Sequence, residues 1–443
     1  MLDYSRLICV LELLKSFDSS HKIASKIVQN YFRSNKNLGS RDRKFISSIF
    51  WNIIKNRNKI HWHIKNLNFK ITYERQVFLE LFFLNKDYKN DLHKIKKNFF
   101  SHFKSNKIFK DKDLDLLKNL HFNKFFNKDM PIHVFYELPV FLLQSIKRNF
   151  KLDWKNVVLS LKKEAFVDIR VNTLKNKTRN EILDSLREIK IPSKITKYSP
   201  KGIRLLKRFP INGNKLFKYG NIEIQGEASQ LSTLLLGAKP GMQVADICAG
   251  AGGKSLLLAD IMQNKGRILS LDISQKRLKE ASLRFKRAGV HIVDTRLVDT
   301  NWNTEGLEKK FDLVLIDAPC SGIGTWARSP DSRFYFNKKK LLELNNIQSE
   351  LLLKGSIMVA PGGKLAYVIC SILPEEGIDQ IEKFKKLVNN DFSEIDMVNM
   401  WSNNLFLTNA FKYPFDNDKK SITINPYIHK MDGFFISMFQ RKI

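Results

Sequence analysis

The sequence predicts an α/β protein: a doubly wound, Rossmann-like sheet preceded by an all-helical domain and a small α/β domain. Three observations carry this reading. From about residue 240, apolar strand candidates alternate with helical stretches, the pattern of a parallel sheet covered by helices on both faces. Residues 1–130 instead repeat apolar side chains at three- and four-residue spacing. Residues 131–220, which open near Pro131 and Pro139, mix the two patterns. At 443 residues the chain has room for two or three domains. Their expected bounds are 1–130, 131–220 and 221–443.

The helical reading of the first part rests on Leu7, Val10, Leu11 and Leu14, and then on Phe45, Ile49 and Ile53. Ser40 is expected to cap the second of these helices, with Arg41, Arg43 and Lys44 on its first turn. Cations there oppose the helix dipole, so an anionic partner and a solvated basic face are both open. Residues 93–110 interleave lysines with aromatics, which suits stacking on bases or an amphipathic helix.

Charge separates the two ends of the chain. Residues 1–220 hold 47 Lys and Arg against 19 Asp and Glu, a net of +28, whereas residues 221–443 hold 29 against 25, a net of +4. A general bias toward Lys, Asn, Ile and Phe would raise lysine in both parts alike. The imbalance therefore favours a phosphate-binding first part joined to a differently employed second part.

In the small domain, 167–175 is expected to be a strand, 178–189 a helix, and the region around Ile203 another strand. Beyond it, the strand candidates are 243–248, 267–272, 291–298, 312–317 and 364–370, with helices at 254–263, 274–288 and 340–359. The hydrophobic stretch 433–440 is expected to join the edge of the sheet.

Other classes are set aside on composition. The four cysteines, at 9, 248, 320 and 370, make neither a disulfide framework nor a zinc motif, so no metal is expected. The opening residues lack the pattern of a secretory signal, and no apolar run is long enough to span a bilayer. A cytoplasmic monomer with no membrane partner is the expectation.

The stretch VADICAGAGGKS (244–255) ends a strand, turns through glycines and opens a helix. It is neither the dinucleotide pattern G-x-G-x-x-G, because position 255 is Ser, nor a P-loop, because Cys248 stands at the first required glycine. Asp272 ends the next strand candidate, where a carboxylate can accept the hydroxyl hydrogens of a ribose. Asp299 follows the third and Asp317 ends the fourth, so three acids gather where doubly wound sheets bind ligands. A ribose-bearing cofactor with no pyrophosphate to cradle suggests S-adenosylmethionine.

Cys320 follows the fourth strand candidate and Cys370 closes the fifth, which brings both thiols to the same rim. A methyl donor beside two thiols points to carbon 5 of cytosine. That carbon is a poor nucleophile until a thiolate adds at C6, and a base must later remove the C5 proton. The residues alone leave open which thiol attacks.

The motifs FKYGNIEIQGEASQ, DICAGAGGK, LDIS, DAPCSG, ARSPD, CSILPEE and the terminal DGFF occur here in one order. Together they resemble the RNA cytosine-C5 methyltransferases of the Sun/Fmu type, most strongly over 217–377. Residues 37–50 also look like the NusB-like N-terminal domain of the ribosomal RNA branch. By this resemblance Cys248, Ala249, Gly250, Ala251, Gly252, Gly253, Lys254, Asp272, Asp299 and Asp317 match cofactor-binding positions. Cys370 matches the nucleophile, Cys320 the cysteine that assists product release, and Asp317 also a carboxylate that can engage the cytosine edge. The family loop commonly reads C-A-A-P-G-G-K, so Gly250 and Ala251 are departures, as is Ile369 where Thr is usual.

The resemblance implies an S-adenosylmethionine-dependent enzyme that methylates C5 of a cytosine in ribosomal RNA, with small-subunit RNA as the expected substrate, through a covalent Cys–C6 adduct. A non-catalytic RNA-binding ribosome assembly factor on the same scaffold is the alternative, and DNA cytosine methylation is a weaker third.

Overall fold

The computed structural model describes residues 3–20, 23–99, 125–207, 209–388, 390–404, 407, 414–415 and 419–443. Most of the lysine–aromatic stretch, residues 100–110, therefore lies outside the described residues. The chain divides into two units: Met1–Gln144 with Arg328–Tyr335, and Ser145–Ala327 with Phe336–Ile443.

The first unit is built from helices whose apolar faces meet. Its described helices include Asp3–Ser19, Ala24–Ser34, Ser40–Lys55, Arg57–Asn66 and Tyr73–Phe83. Leu7, Val10, Leu14, Ile46, Ile49, Phe50, Ile53, Val77 and Phe78 form its core. Ser40 is not the cap expected of it. Gly39 holds the N-cap position, and the Asp42 carboxylate bonds back to it, accepting the Gly39 N–H at 3.2 Å. The short segment Arg328–Tyr335, which contains part of the ARSPD motif, also belongs to this unit. Asp331 accepts the Ala24 N–H at 2.9 Å, and Arg333 donates to the Ile54 carbonyl at 2.7 Å. A buried ion pair, Lys59–Glu137 at 3.2 Å, is completed by the N–H groups of Asn58 and Lys59, which donate to the same carboxylate at the start of Arg57–Asn66.

The second unit holds two sheets. The smaller has strands β1 (Val167–Val171), β2 (Ser193–Ile195), β3 (Gly202–Leu205) and β4 (Ile222–Ile224), antiparallel in the order β2-β3-β1-β4. Helix Arg179–Glu188 covers it through Ile182 and Leu186. This sheet is tied by charge to helix Gly253–Ile261, which follows the first strand of the larger one. Arg170 and Lys201 both reach the Asp260 carboxylate at 3.1 Å, and all three are buried. Removing one member of such a group leaves an uncompensated buried charge, typically about 3–5 kcal/mol.

The larger sheet contains β5 (Gln243–Ile247), β6 (Arg267–Asp272), β7 (Val293–Leu297), β8 (Phe311–Asp317), β9 (Val359–Ile369), β10 (Phe392–Glu394), β11 (Ser421–Ile424) and β12 (Phe434–Arg441). Its order is β10-β12-β9-β8-β5-β6-β7, with β11 also paired to β12. Strands β5 to β9 pair in parallel, and β12 runs antiparallel to β9. Helices Gly253–Ile261, Gln275–Ala288 and Lys338–Met358 supply the crossovers.

One placement differs from expectation. β12 is not an edge strand, because it pairs with β9 and also with β10 and β11. Six consecutive residues from Phe434 to Phe439 are buried, so both faces of the strand are covered. A run apolar on both faces is the mark of an interior strand.

Chain order reverses between β5 and β8. At such a switch point the loops after the two strands separate and leave a crevice at their C-terminal ends.

Candidate active site

The loop after β5 is shaped by backbone signs that few residues tolerate. Cys248, Gly250 and Gly252 all have positive φ, of 66°, 58° and 73°. Position 252 needs glycine for space as well, since a methyl there would lie 2.6 Å from the Phe285 ring. Ala249 N–H donates to the Leu271 carbonyl at 2.9 Å, stitching the loop to β6. Arg284, from helix Gln275–Ala288, donates to the Ala251 carbonyl at 2.6 Å while its guanidinium is held by Glu223 of β4.

Three acids face this loop. Asp272 is buried and accepts the Gly250 N–H and the Ser274 N–H, each at 2.8 Å. Asp317, at the end of β8, pairs with Lys254 at 2.5 Å, so the ion pair spans the switch point between β5 and β8. Asp246, inside β5, accepts the Ser255 hydroxyl at 2.5 Å through one oxygen, and its other oxygen is buried with no partner. Burial pushes the Asp246 carboxyl up to about 7, and the nearby charges of Asp317 and Asp272 add to the effect. Burial likewise raises the Cys248 thiol, with Asp317 and Asp272 again contributing.

Asp299 follows β7, one residue after Val298, whose N–H donates to the Asp272 carbonyl at 3.1 Å. It is exposed, and its carboxylate accepts the Asn301 N–H at 2.7 Å in a local turn.

The thiols come from neighbouring parallel strands. β8 leads through Asp317-Ala-Pro to Cys320, and β9 ends immediately before Cys370. The Cys320 and Cys370 sulfurs lie 3.5 Å apart although the residues are fifty positions apart. The hydrogen bond to Cys370 raises the Cys320 thiol well above its usual range, with burial and the charges of Cys370 and Glu376 adding to it. Gly324 N–H donates to the Cys370 carbonyl at 3.1 Å, and the Trp326 indole N–H donates to the Ser321 carbonyl at 3.1 Å, which closes the turn around the pair.

The donor set fits S-adenosylmethionine. Two acids near a glycine loop suit its ribose hydroxyls and ammonium, and the unpartnered buried oxygen of Asp246 is an acceptor awaiting a donor. Asp246, Arg284, Gln348 and Glu376 were not singled out from sequence. Asp246 carried a signal, an acid within an otherwise apolar strand, whereas Arg284 and Gln348 lie on helices whose facing partners only the fold discloses. Among the described residues, no group of three or more His, Cys, Asp or Glu could hold a metal, and no helix is long and apolar enough to cross a membrane.

Comparison with known proteins places these features in context. The family described as 16S rRNA methyltransferase RsmB/F matches residues 233–440, and the ferredoxin-like domain of RsmF/B-like methyltransferases matches residues 138–212. A probable ribosomal RNA small subunit methyltransferase B of Bacillus subtilis is 32% identical over 62% of this chain and 59% of its own length. The matched stretch therefore spans under two thirds of that relative. The crystal structure of PH0851 covers 98% of both chains with a TM-score of 0.77 at 24% identity, a likeness of fold. A methyltransferase homolog protein from Pyrococcus horikoshii covers 70% of this chain and 97% of its own, with a TM-score of 0.55 and 26% identity.

Proposed function

We propose a reaction for this chain, whose residues 233–440 match the 16S rRNA methyltransferase RsmB/F family and whose residues 138–212 match the ferredoxin-like domain of RsmF/B-like methyltransferases: methylation of C5 of a cytosine in ribosomal RNA, with S-adenosylmethionine as donor. The observation that carries this reading is the pair of sulfurs 3.5 Å apart at the strand ends beside the glycine loop. Methylation of an exocyclic amine or of a ribose hydroxyl has no use for two thiols at one point.

Asp272 and the loop Cys248–Lys254 would hold the cofactor, with Asp317 at the neighbouring strand end available to the base. The bound cofactor supplies an electrophilic methyl group on a sulfonium. Cys370, as thiolate, adds to C6 of the cytosine and makes C5 electron-rich enough to take that methyl. A base then takes the C5 proton, the C–H electrons re-form the C5–C6 double bond and Cys370 leaves C6 as a thiolate; Cys320 would be that base once its own proton has passed to solvent. The Asp317–Lys254 pair at the switch point can orient the cytosine edge while keeping both charges satisfied.

The target base must leave its helix to reach a rim of this kind. The excess of Lys and Arg in residues 1–220 supports a role for that part in holding the RNA backbone. A cytoplasmic setting follows from a ribosomal substrate. The test is incubation of the purified chain with S-adenosylmethionine and ribosomal RNA, followed by bisulfite sequencing. One newly protected cytosine is the expected result. Methyl incorporation with every cytosine still converted would point to a different atom, and no incorporation would favour the assembly-factor reading.

A further inference from the structure

The two thiols stand on turns that follow paired strands, and a buried side chain also joins those turns. Between the turns lies the carboxylate of Glu376, which is fully buried. One of its oxygens accepts the Ser321 N–H at 2.7 Å and the Gln348 amide at 3.2 Å. The other accepts the hydroxyls of Ser321 and Ser371, each at 2.5 Å. Ser321 follows Cys320 and Ser371 follows Cys370, so a single side chain grips the residue next to each sulfur.

The grip is itself anchored. The Tyr367 hydroxyl, on β9, donates to the Glu376 carbonyl at 2.7 Å, which fixes the backbone of the residue. Gln348, on helix Lys338–Met358, donates also to the Pro319 carbonyl at 2.9 Å, immediately before Cys320. The two serine hydroxyls are 3.1 Å apart, which leaves no slack in the bridge. A buried carboxylate with four donors and such anchoring resists displacement, because moving it would strand several polar groups at once.

We infer that Glu376 is a positioning residue that sets the separation of the Cys320 and Cys370 sulfurs, with Gln348 and the two serines as its contacts. What matters is the span of its side chain from one turn to the other. The inference rests on the reading of the thiol pair given above, yet the sulfur separation can be measured without RNA or cofactor.

Phenylarsine oxide bridges two thiols that lie a few ångström apart, forming two As–S bonds and releasing water. Wild-type full-length protein should take up one phenylarsine group across the pair, seen by intact mass and lost in Cys320→Ala or Cys370→Ala. Glu376→Gln keeps the span: its carbonyl retains the Ser321 N–H and Gln348, and its amide hydrogens reach the serine oxygens. Glu376→Asp keeps the charge but is one methylene too short. Bridging affinity should stay near wild type in Glu376→Gln and fall by about tenfold or more in Glu376→Asp, the effect expected when a support shifts its site by a fraction of an ångström.

In methylation assays the same order should appear in kcat, with Glu376→Asp reduced by about a hundredfold, Glu376→Gln largely rescued, and affinity for S-adenosylmethionine unchanged in both. Bridging in Glu376→Asp as tight as wild type would overturn the inference, as would Glu376→Gln bridging as poorly as Glu376→Asp, or no bridging in wild type. Bridging that follows the expected order in a protein that methylates nothing would leave Glu376 as the clamp and reject the reaction proposed above.

Discussion

The backbone N–H of Gly433 donates to the carbonyl of Gly324 at 2.9 Å, and neither glycine has room for a side chain. A methyl at Gly324 would lie 1.9 Å from the Gly433 oxygen, and one at Gly433 would lie 2.4 Å from Ile372. Gly324 in turn donates to the Cys370 carbonyl. The DGFF motif near the C-terminus thus backs the thiol site: its glycine lets the chain lie against the Cys320 turn, and Phe434 begins the strand that pairs with β9.

Gly324→Ala should therefore destabilise the protein by about 1–3 kcal/mol or more, the range for forcing atoms into packed space. Urea denaturation with a fixed m-value would measure it. Stability equal to wild type would show that the backbone contact gives way freely.

The cofactor site makes a separate demand on Asp272. Asp272→Ala should weaken S-adenosylmethionine binding by about 1.5–3 kcal/mol, as expected for lost charged hydrogen bonds. Calorimetric titration is the measurement, and unchanged affinity would remove Asp272 from the site.

Asp246 gives a pH dependence. Its folded value, pushed up to about 7 by burial, stands above the ordinary carboxylate value of 3.8 that the unfolded chain returns to. Between those values the folded state binds the extra proton, so this residue's contribution falls as pH rises from about 4 to 7 and stays lost above. Asp246→Asn cannot ionise and should flatten that slope, narrowing the drop in stability between pH 5 and pH 8. Thermal denaturation across this range that shows parallel profiles for the two proteins would mean Asp246 titrates normally.

Salt dependence tests the charge asymmetry. Arg41 and Lys44 are exposed on the first turn of Ser40–Lys55. If they meet phosphates, Arg41→Glu with Lys44→Glu should weaken RNA binding and reduce the slope of log affinity against log salt by about 0.7–0.9 for each lost contact. The variant should bind S-adenosylmethionine as wild type does. An unchanged slope would assign these cations to a solvated face.

Much of this site was legible because its chemistry is local in sequence. The glycine turn, the acids at strand ends and the cysteine after Pro319 each declare themselves within a few residues, and strand–helix alternation carries them to one rim. What the sequence hid is long-range. Ser40 lies inside the helix because Gly39 takes the N-cap position, where Asp42 bonds back to its N–H. The place of β12 inside the sheet depends on β10 and β11, strands of three and four residues that are too short to show a period. Glu376 stood in plain view in CSILPEE, but its role depends on four donors drawn from Ser321, Gln348 and Ser371.

If Cys370 attacks the base and Cys320 helps expel it, the two alanine variants fail differently in covalent trapping. Each alanine variant is incubated with S-adenosylmethionine and ribosomal RNA, then run on a denaturing gel. Cys370→Ala should give neither methylated product nor an RNA-linked band, because the ring is never activated. Cys320→Ala should attack and take up the methyl but stall at release, leaving enzyme covalently attached to RNA. An RNA-shifted band from Cys320→Ala alone is the predicted result. The same band from Cys370→Ala alone would exchange the two roles, and two freely active variants would contradict the thiol mechanism.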